Sequence, residues 1–352
     1  MRRAAGVGGI WTIALAIWAA LPAPAAAQDF PAPPREEGDE PSVWFGKANV
    51  GYGPFHTVSL SPFTSLRSGF GPRLPSALPA GDFELRLGQS WVSNASADPR
   101  WLIDFDVLRS NIAFSWGVSD RVRIDLEIES GQRASSTLET FVIAFHRAFG
   151  LNLGGRNQFA ENDNRFEVQP PDGSPRIVVT KDDPQPYEQA ALLTLQHTLT
   201  YGDAEVPAIS WALSIRRDVE PGDLQGGSPI QVSGSLSLAK DFEDFHFYFG
   251  ANVAWFGRQN FFGLPLRSMQ WGALVAVEWN FLPRWSVIGQ YLMTSGAVDQ
   301  LGAFSDPSHE VTAGFKWQAG AHVLLELAII ENIINFENSP DFGVHVALAV
   351  RW

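Results

Sequence analysis

Apolar and polar side chains alternate over long stretches of this chain. In residues 121–130, 270–281, 308–318 and 342–352 every second side chain is mostly apolar, and the side chains between them are small, polar or charged. A period of two places each set on one face of a β-strand. The alternation holds for about 10 to 12 residues, whereas a soluble strand runs for about 5 to 6, so the length is typical of a tilted strand that crosses a bilayer.

A closed sheet is the only architecture that suits such strands in lipid. After residue 27 the chain has no run of about 18 apolar residues, which excludes membrane-spanning helices. In hydrocarbon every backbone amide must be paired, and among sheets only a closed one achieves this. We therefore predict an all-β fold, an antiparallel transmembrane β-barrel of about twelve strands. The predicted strands are about 83–92, 106–118, 121–130, 188–201, 206–217, 229–240, 245–257, 269–281, 285–295, 308–318, 322–332 and 341–352.

The N-terminal residues predict export. Arg2 and Arg3 precede an apolar run over 10–21, and a small-residue stretch ends at Ala27, which is the layout of a signal peptide over 1–27. Residues 28–41 are rich in proline and glutamate and predict a linker. Residues 42–81 are irregular and aromatic, and predict a luminal plug or a periplasmic strap. The barrel takes residues 82–352, and we expect the protein in the outer membrane of the cell.

One connection between strands is too long for a plain loop. Residues 131–187 form an external insertion in this interpretation, and within it Ser136 and Glu139 have the spacing of a capping box. Apolar residues follow at helical spacing, so we predict an amphipathic helix over about 137–149. The barrel rim, the lumen and the outer-leaflet interface are the three surfaces that could cover its apolar stripe.

The sequence of this insertion resembles a known family. The run Phe145-His146-Arg147-Ala148-Phe149-Gly150-Leu151, followed by Gly154-Gly155-Arg156, is similar to the signature of an uncharacterised family of proteobacterial outer-membrane barrels that carries a domain-of-unknown-function label. The resemblance covers roughly 54–352. The family often has Asp-Gly-Glu where this chain has Asp104-Phe105-Asp106. The resemblance implies an outer-membrane barrel and no known activity, so no catalytic residue is transferred. The motif residues are Phe145, His146, Arg147, Phe149, Gly150 and Arg156.

The phase of the strands also predicts which side chains line the lumen. These are Glu84, Arg86, Arg123, Asp125, Glu127, Arg216, Glu278, Gln290, Lys316, Glu326, His345 and Arg351. Because both signs of charge occur, one interpretation is an ion-paired, closed lumen. The other is the selectivity lining of a narrow polar channel. A twelve-stranded barrel falls between filled eight-stranded barrels and open porins, so strand number does not decide between them.

Composition excludes several functions. The net charge of −13 argues against nucleic-acid binding, and the absence of cysteine excludes disulfides and thiolate metal sites. The seven histidines lack the spacing of a metal motif, and there is no G-x-S-x-G elbow. We therefore expect no cofactor, no metal and no enzymatic activity. The C-terminal Trp352 resembles the recognition signal read by the barrel-assembly machinery.

Three functions remain open from the sequence. The first is passive passage of small polar or amphipathic solutes. The second is a structural or surface-interaction barrel with an ion-paired, closed lumen. The third is an outer-membrane lipid hydrolase that uses His146. Outer-membrane lipid, the assembly machinery and a small solute are the expected partners, and the sequence does not predict an oligomeric state.

Overall fold

The chain divides into two units, Met1–Glu40 and Pro41–Trp352. The structure, a computed structural model, describes residues 51–67, 71–134, 138–150, 156, 164–183, 187–203, 205–226 and 230–352. The predicted signal peptide and linker therefore lie outside the described residues, as do residues 42–50 of the predicted plug or strap. No described helix is long and apolar enough to span a membrane.

Twelve antiparallel strands close into a barrel, and this confirms the predicted fold class. In chain order the strands are β1 Phe83–Asp98, β2 Trp101–Ser119, β3 Val122–Ala134, β4 Arg165–Val168, β5 Ile177–Val179, β6 Tyr187–Tyr201, β7 Ala208–Pro221, β8 Leu224–Gln225, β9 Ile230–Phe242, β10 Phe245–Trp255, β11 Asn260–Phe261, β12 Leu264–Pro265, β13 Met269–Leu282, β14 Trp285–Thr294, β15 Ser308–Gln318, β16 Val323–Ile334 and β17 Phe342–Arg351. The ring order is β1-β17-β16-β15-β14-β13-β10-β9-β7-β6-β3-β2, and β2 pairs with β1 to complete it. Strands β4 and β5 extend the sheet beside β2, and β8, β11 and β12 form a small separate sheet.

The outer face of the barrel is apolar. Leu126, Leu213, Phe315 and Leu327 are each at least half exposed, although they belong to the regular strands. The strands are joined by short turns at one end of the barrel, such as residues 120–121 and 283–284, and by longer connections at the other, such as residues 295–307. Exposed aromatic side chains lie near the end with the short turns, where Trp285 stacks on Trp317 with ring centroids 5.2 Å apart. This is the surface that a lipid bilayer covers, with aromatic side chains at its border. The closed barrel with this surface places the protein in the outer membrane.

The predicted helix exists, and it packs on the outside of the barrel. Helix α1 spans Glu139–Phe149, so it begins two residues later than predicted. Leu138 occupies its N-cap and donates its backbone N–H to Asp106 of β2, whereas Ser136 of the predicted capping box lies outside the described residues. Val142 packs with Phe342 on the outward face of β17. The apolar stripe of the helix packs on the outer barrel wall near the end with the long connections, a surface that was not among the rim, the lumen and the outer-leaflet interface considered from the sequence.

A luminal segment, defined as residues 51–67 and 71–80, lies inside the barrel. It enters at the end with the short turns, reaches a 3-10 turn at Thr64–Leu66, and returns to the same end. Where it leaves, the carbonyl oxygen of Pro79 lies 2.1 Å from the position that a Cβ atom on Gly117 would occupy. Only glycine permits this close approach of the segment to β2. The luminal segment therefore runs to the far end of the lumen and back.

Candidate functional site

The lumen is lined by charged side chains that the strand phase had indicated. Ten of the twelve predicted residues are buried, and Arg86 and Arg123 are partly buried with side-chain exposures of 14% and 16%. The ten are Glu84, Asp125, Glu127, Arg216, Glu278, Gln290, Lys316, Glu326, His345 and Arg351. Their assignment as the lining of a passage stays a prediction.

Glu84 is the centre of one ion-pair cluster near the end with the short turns. Its carboxylate lies 2.6 Å from Arg351 Nη2, 3.6 Å from Arg123 Nη2 and 3.8 Å from Arg86 Nε. Arg123 also donates to Asp125 at 2.5 Å. Three guanidinium groups around one buried carboxylate compensate the cost of removing each charge from water.

Glu326 is the centre of a second cluster, which adjoins the first through Arg86. Its carboxylate accepts from Arg86 Nη1 at 2.8 Å and from Lys316 Nζ at 3.1 Å, and His345 Nε2 lies 3.6 Å away. His345 in turn contacts the Ser90 hydroxyl at 2.8 Å through Nδ1. These contacts connect β1, β15, β16 and β17 across the inner face of the barrel seam.

The ascending arm of the luminal segment, residues 51–63, binds this charged wall through its backbone. Lys316 Nζ donates to the carbonyl oxygens of Gly53 at 2.6 Å and Pro54 at 3.2 Å. The Glu278 carboxylate accepts the backbone N–H groups of Tyr52 and Gly53, both at 3.0 Å. One buried cation and one buried anion of the wall thus satisfy the backbone of an irregular segment, which has no strand partner of its own.

Further from the end with the short turns, the same arm is held by hydroxyl and amide groups. Gln290 Nε2 donates to the Thr57 hydroxyl at 2.9 Å. The hydroxyl oxygens of Ser59 and Ser308 are 3.2 Å apart, and Ser59 also donates to Glu310. Each contact joins the luminal segment to a side chain of the wall.

The descending arm of the luminal segment, residues 71–80, is bound to the opposite part of the wall. Arg73 pairs with Asp125 and donates to the Thr194 hydroxyl at 3.2 Å. Further down, the hydroxyl of Thr198 donates to the Pro75 carbonyl at 2.8 Å and accepts the backbone N–H of Ala77 at 3.0 Å. His56 of the ascending arm lies 3.2 Å from Glu127. Both arms therefore fill the lumen between β3 and β15.

A small cavity remains between the luminal segment and the wall formed by β1–β3. Its volume is about 50 Å³, and its polar lining includes Arg73, Glu84, Arg86, Arg123 and Asp125. This space is the size of a few water molecules. The lumen is therefore closed to solutes larger than water along this route.

The far end of the lumen is closed by apolar side chains. Phe63, beside the 3-10 turn of the luminal segment, lies edge-on to Phe304 at 5.0 Å and to Phe166 at 5.5 Å. Both partners come from the long connections, and the three rings belong to a cluster of buried apolar residues that includes Trp101 and Phe105 of β2. The tip of the segment is thus inserted into an apolar cap.

Several lumen residues were missed from the sequence although a signal was present. Glu129 lies two residues after Glu127 on the same face, and Glu310 lies six residues before Lys316 on the inward face of β15. Glu188 and Arg109 pair at 3.2 Å higher in the lumen, where Arg216 binds Glu188 as well. Extending each strand phase to the strand ends finds these positions. Arg73 and His56 gave no such signal, because their segment has no period.

The insertion motif lies on the outer wall and does not line the lumen. Phe145 packs on Phe342 with centroids 4.8 Å apart, and His146 Nε2 lies 3.3 Å from Glu331. Gly150 ends the helix with a φ of 68°, and Arg147 is exposed. The side chain of Phe149 is outside the described residues.

Arg156 also belongs to the outer wall. Its guanidinium, 2% exposed with the rest of the residue, pairs with Asp341 and donates to the Ser93 hydroxyl at 2.9 Å. Ser93 lies on the same outward face of β1 as Trp91, beside which α1 packs. The role of His146 in a lipid hydrolase stays a prediction. Across the described ranges, no three His, Asp or Glu side chains are grouped in a way that could hold a metal ion.

The C-terminal residue completes the barrel seam. Trp352 and Phe83 exchange two backbone hydrogen bonds, at 2.8 and 3.0 Å, and their rings stack with centroids 6.1 Å apart. Trp352 is also half exposed at the end of the barrel with the short turns. Recognition of this residue by the assembly machinery stays a prediction.

A family model described as a protein of unknown function, DUF3187, matches residues 44–352. The chain belongs to this family. The resemblance to a family of unknown function is thus confirmed, and the run around Phe145 as its signature stays a prediction. No curated protein matches the chain.

Several solved structures are similar to this family member. The COG4313 outer membrane channel from Pseudomonas putida F1 is 11% identical with a TM-score of 0.49, and the match covers 81% of this chain and 100% of that one. The NanC porin is 8% identical with a TM-score of 0.44, over 76% and 98%. The Pseudomonas putida toluene transporter TodX is 11% identical with a TM-score of 0.35, over 87% and 97%. Similarity at this level carries no inference about a solute.

Proposed function

We propose that this protein is an outer-membrane channel for the passive passage of small polar solutes, and that the luminal segment closes it. The observation that supports this most is the way the segment is held. The wall is a complete ring of paired strands, with β17 joined to β1, so it does not depend on the segment for closure. The contacts described above bind the segment through side chains such as Lys316, Glu278 and Thr198.

This arrangement permits opening without disruption of the barrel. When the segment moves, the wall keeps its strand hydrogen bonds, and the exposed lumen presents arginine, glutamate and hydroxyl groups to water. A lumen with charges of both signs accepts small polar solutes and disfavours apolar ones. A structural barrel with a permanently closed lumen is the competing function, since the same ion pairs also hold the lumen shut.

Conductance in planar bilayers tests the proposal with the full-length protein. Lys316→Met removes the ammonium that binds Gly53 and Pro54, while Glu326 keeps its contact with Arg86. Loss of hydrogen bonds to a charged group weakens the closed state by about 1.5 to 3 kcal/mol, so open events become roughly tenfold or more as frequent. The matched control is Lys240→Met, which removes a lysine that donates to the Asp203 carbonyl in an exposed turn.

The result separates the two functions. We expect rare openings in the unmodified protein, frequent openings in Lys316→Met, and unmodified behaviour in the control. Silent bilayers for both the unmodified protein and Lys316→Met, with folded protein shown to be inserted, would support the structural barrel and reject the channel.

A further inference from the structure

A second cavity lies outside the lumen, at the end with the long connections. Its volume is about 620 Å³, and three separate connections meet around it: the β4–β5 connection, the β11–β12 turn and the connection before β15. We call this space the outer cleft. It lies within the range of about 300 to 1,000 Å³ that small-molecule sites occupy.

Five of the thirteen residues that line the outer cleft carry a proline or phenylalanine ring. Pro170, Pro171 and Pro175 come from the β4–β5 connection, and Phe262 and Pro265 come from the β11–β12 hairpin. Proline rings and a phenylalanine ring present flat apolar surfaces with little freedom to rearrange. Such surfaces suit a flat apolar ligand.

The floor of the outer cleft is part of the apolar cap. Ile177 and Leu264 line the cleft, are only 7% and 1% exposed, and belong to the same buried cluster as Phe63 of the luminal segment. The cluster holds the floor in place, so the cleft does not depend on a ligand to form. A preformed site loses less entropy when it binds.

Two cleft residues adopt a strained backbone conformation. Phe262 has a φ of 48° and Gln300 a φ of 59°. The left-handed region is costly for a side chain as bulky as phenylalanine. The Phe262 ring is 43% exposed and lies edge-on to Phe261 at 4.8 Å. Phe262 and Gly263, with φ values of 48° and 88°, are the two central residues of the β11–β12 hairpin, and a two-residue hairpin turn of this kind requires positive φ at both. The turn therefore fixes the backbone that presents the aromatic ring at the cleft surface.

The charged groups at the outer cleft already have partners within the protein. Asp299 pairs with Arg267 at 2.6 Å, and Arg176 lies 3.4 Å from Glu167. Asp172 accepts the backbone N–H of Ser174 at 2.9 Å, and hydrogen bonds from Ser174 hold the pKa of Asp172 below its usual range. These partners compensate the charges of the cleft in part, so these groups attract a charged ligand less than unpaired groups would.

We propose that the outer cleft binds a small uncharged molecule with an apolar ring and a hydrogen-bonding group. The ring packs between the prolines and Phe262, and the polar group faces the rim that Ser174 and Gln300 provide. This site stands apart from the lumen, and its binding does not require that the barrel conduct.

Ligand-observed saturation-transfer NMR tests the site with the full-length protein in lipid nanodiscs. The probe is benzamide, an uncharged ring with one amide group, and benzoate and benzylammonium are its charged counterparts. Empty nanodiscs supply the lipid background, which is subtracted. We expect saturation of benzamide above that background and little saturation of either ion.

Two variants locate the binding. Ser174→Trp fills the outer cleft, whereas Lys181→Trp adds the same side chain in the exposed turn after β5, outside the cleft lining. Phe262→Gly removes one wall and also relieves the left-handed backbone, so it tests binding without depending on a loss of stability. We expect about tenfold weaker benzamide binding in Phe262→Gly, because part of the burial of a ring is lost.

Each outcome decides the proposal. Binding that is lost in Ser174→Trp and weakened in Phe262→Gly, with the heat stability of both variants retained and binding unchanged in Lys181→Trp, supports it. Equal binding of benzamide and benzoate, equal loss in Lys181→Trp, or unchanged binding in both cleft variants overturns it. None of these results depends on conductance, so the channel and the outer cleft fail or succeed separately.

Discussion

The ammonium nitrogen of Lys316 lies 2.6 Å from the carbonyl oxygen of Gly53, inside the barrel and with no exposure to solvent. This contact joins the wall to the luminal segment at its point of entry. Lys316 also pairs with Glu326 at 3.1 Å, so a single buried cation serves both the ion pairs of the wall and the backbone of the segment. The charge network and the closure of the lumen are therefore coupled.

Trypsin susceptibility reports the position of the luminal segment. Arg67 and Arg73 are trypsin sites within it, and Arg67 is completely buried. We expect no cleavage at these sites in the folded protein and cleavage in Lys316→Met, because the weakened segment leaves the lumen more often. Mass spectrometry of the fragments identifies the site. If trypsin cleaves after Arg67 in the unmodified barrel as fast as in Lys316→Met, the segment is not held inside by this contact.

Glu84 is the shared partner of three arginines in the lumen. Glu84→Gln leaves Arg86, Arg123 and Arg351 with one fewer negative charge among them. We expect conducting barrels to shift towards anions, as measured by the reversal potential in a salt gradient, because a positive lining attracts anions. We also expect the barrel to unfold at a lower temperature, since breaking a buried ion pair costs about 3 to 5 kcal/mol.

The control for this variant is a change of the same kind on an exposed carboxylate. Asp182→Asn lies in the turn after β5 and removes one negative charge away from the lumen. It should leave both the reversal potential and the unfolding temperature unchanged. A shift of equal size in both variants would mean that overall charge, and not Glu84, determines selectivity.

Substitution of the two arginines of the insertion motif should have very different effects on the stability of the barrel. Arg156→Ala leaves Asp341 without its buried guanidinium partner on the outer wall, and we expect a loss of about 3 to 5 kcal/mol in the free energy of unfolding. Arg147→Ala alters an exposed side chain and should change stability by less than about 0.5 kcal/mol. Urea unfolding, followed by gel migration of unheated samples, measures both. Similar midpoints for the two variants would contradict the packing of this region on the barrel.

Substitution of Trp352 distinguishes a role in assembly from a role in the stability of the barrel. We expect Trp352→Ala to lower the amount of folded barrel in cells while protein refolded in detergent keeps its stability to within about 1 kcal/mol, because only one end of the seam is altered. Trp317→Ala removes another exposed aromatic ring at the same end and is the matched control. If both variants assemble equally well in cells, Trp352 has no special role in recognition.

The strands were predictable from the sequence because their signal is long. A strand such as β13 alternates over its whole length, and its partner β14 does the same, so phase and boundaries agree with the structure to within one residue. The strands β8, β11 and β12 have two residues each, which is too short for a period to appear. The extension of β2 back to Trp101 was also missed, because the polarity of the two faces is reversed there: the apolar Ile103 and Phe105 face inward, and Asp104 lies on the outward face.

For the luminal contacts, the sequence predicted the residues of the barrel wall but not their partners in the luminal segment. Strand phase points Lys316 and Glu278 inward, but it does not state what they bind. Their partners Gly53 and Tyr52 lie in an aperiodic segment, more than 220 residues away along the chain. Likewise, the apolar stripe of α1 predicts that the helix packs, while its contact with Phe342 depends on the closed seam. Pairings between distant residues of this kind require the three-dimensional fold.

A reversible cross-link between Ser59 and Ser308 tests most directly whether the luminal segment closes the channel. The chain has no cysteine, so Ser59→Cys combined with Ser308→Cys introduces one disulfide between the segment and β15, where the hydroxyl oxygens are 3.2 Å apart. Ser210→Cys with Ser237→Cys, a facing pair on β7 and β9, is the control within the wall. We predict that oxidation silences conductance in the first pair only and that reduction restores it. Conductance that continues unchanged after the disulfide between residues 59 and 308 has formed would contradict the role of the segment in closure.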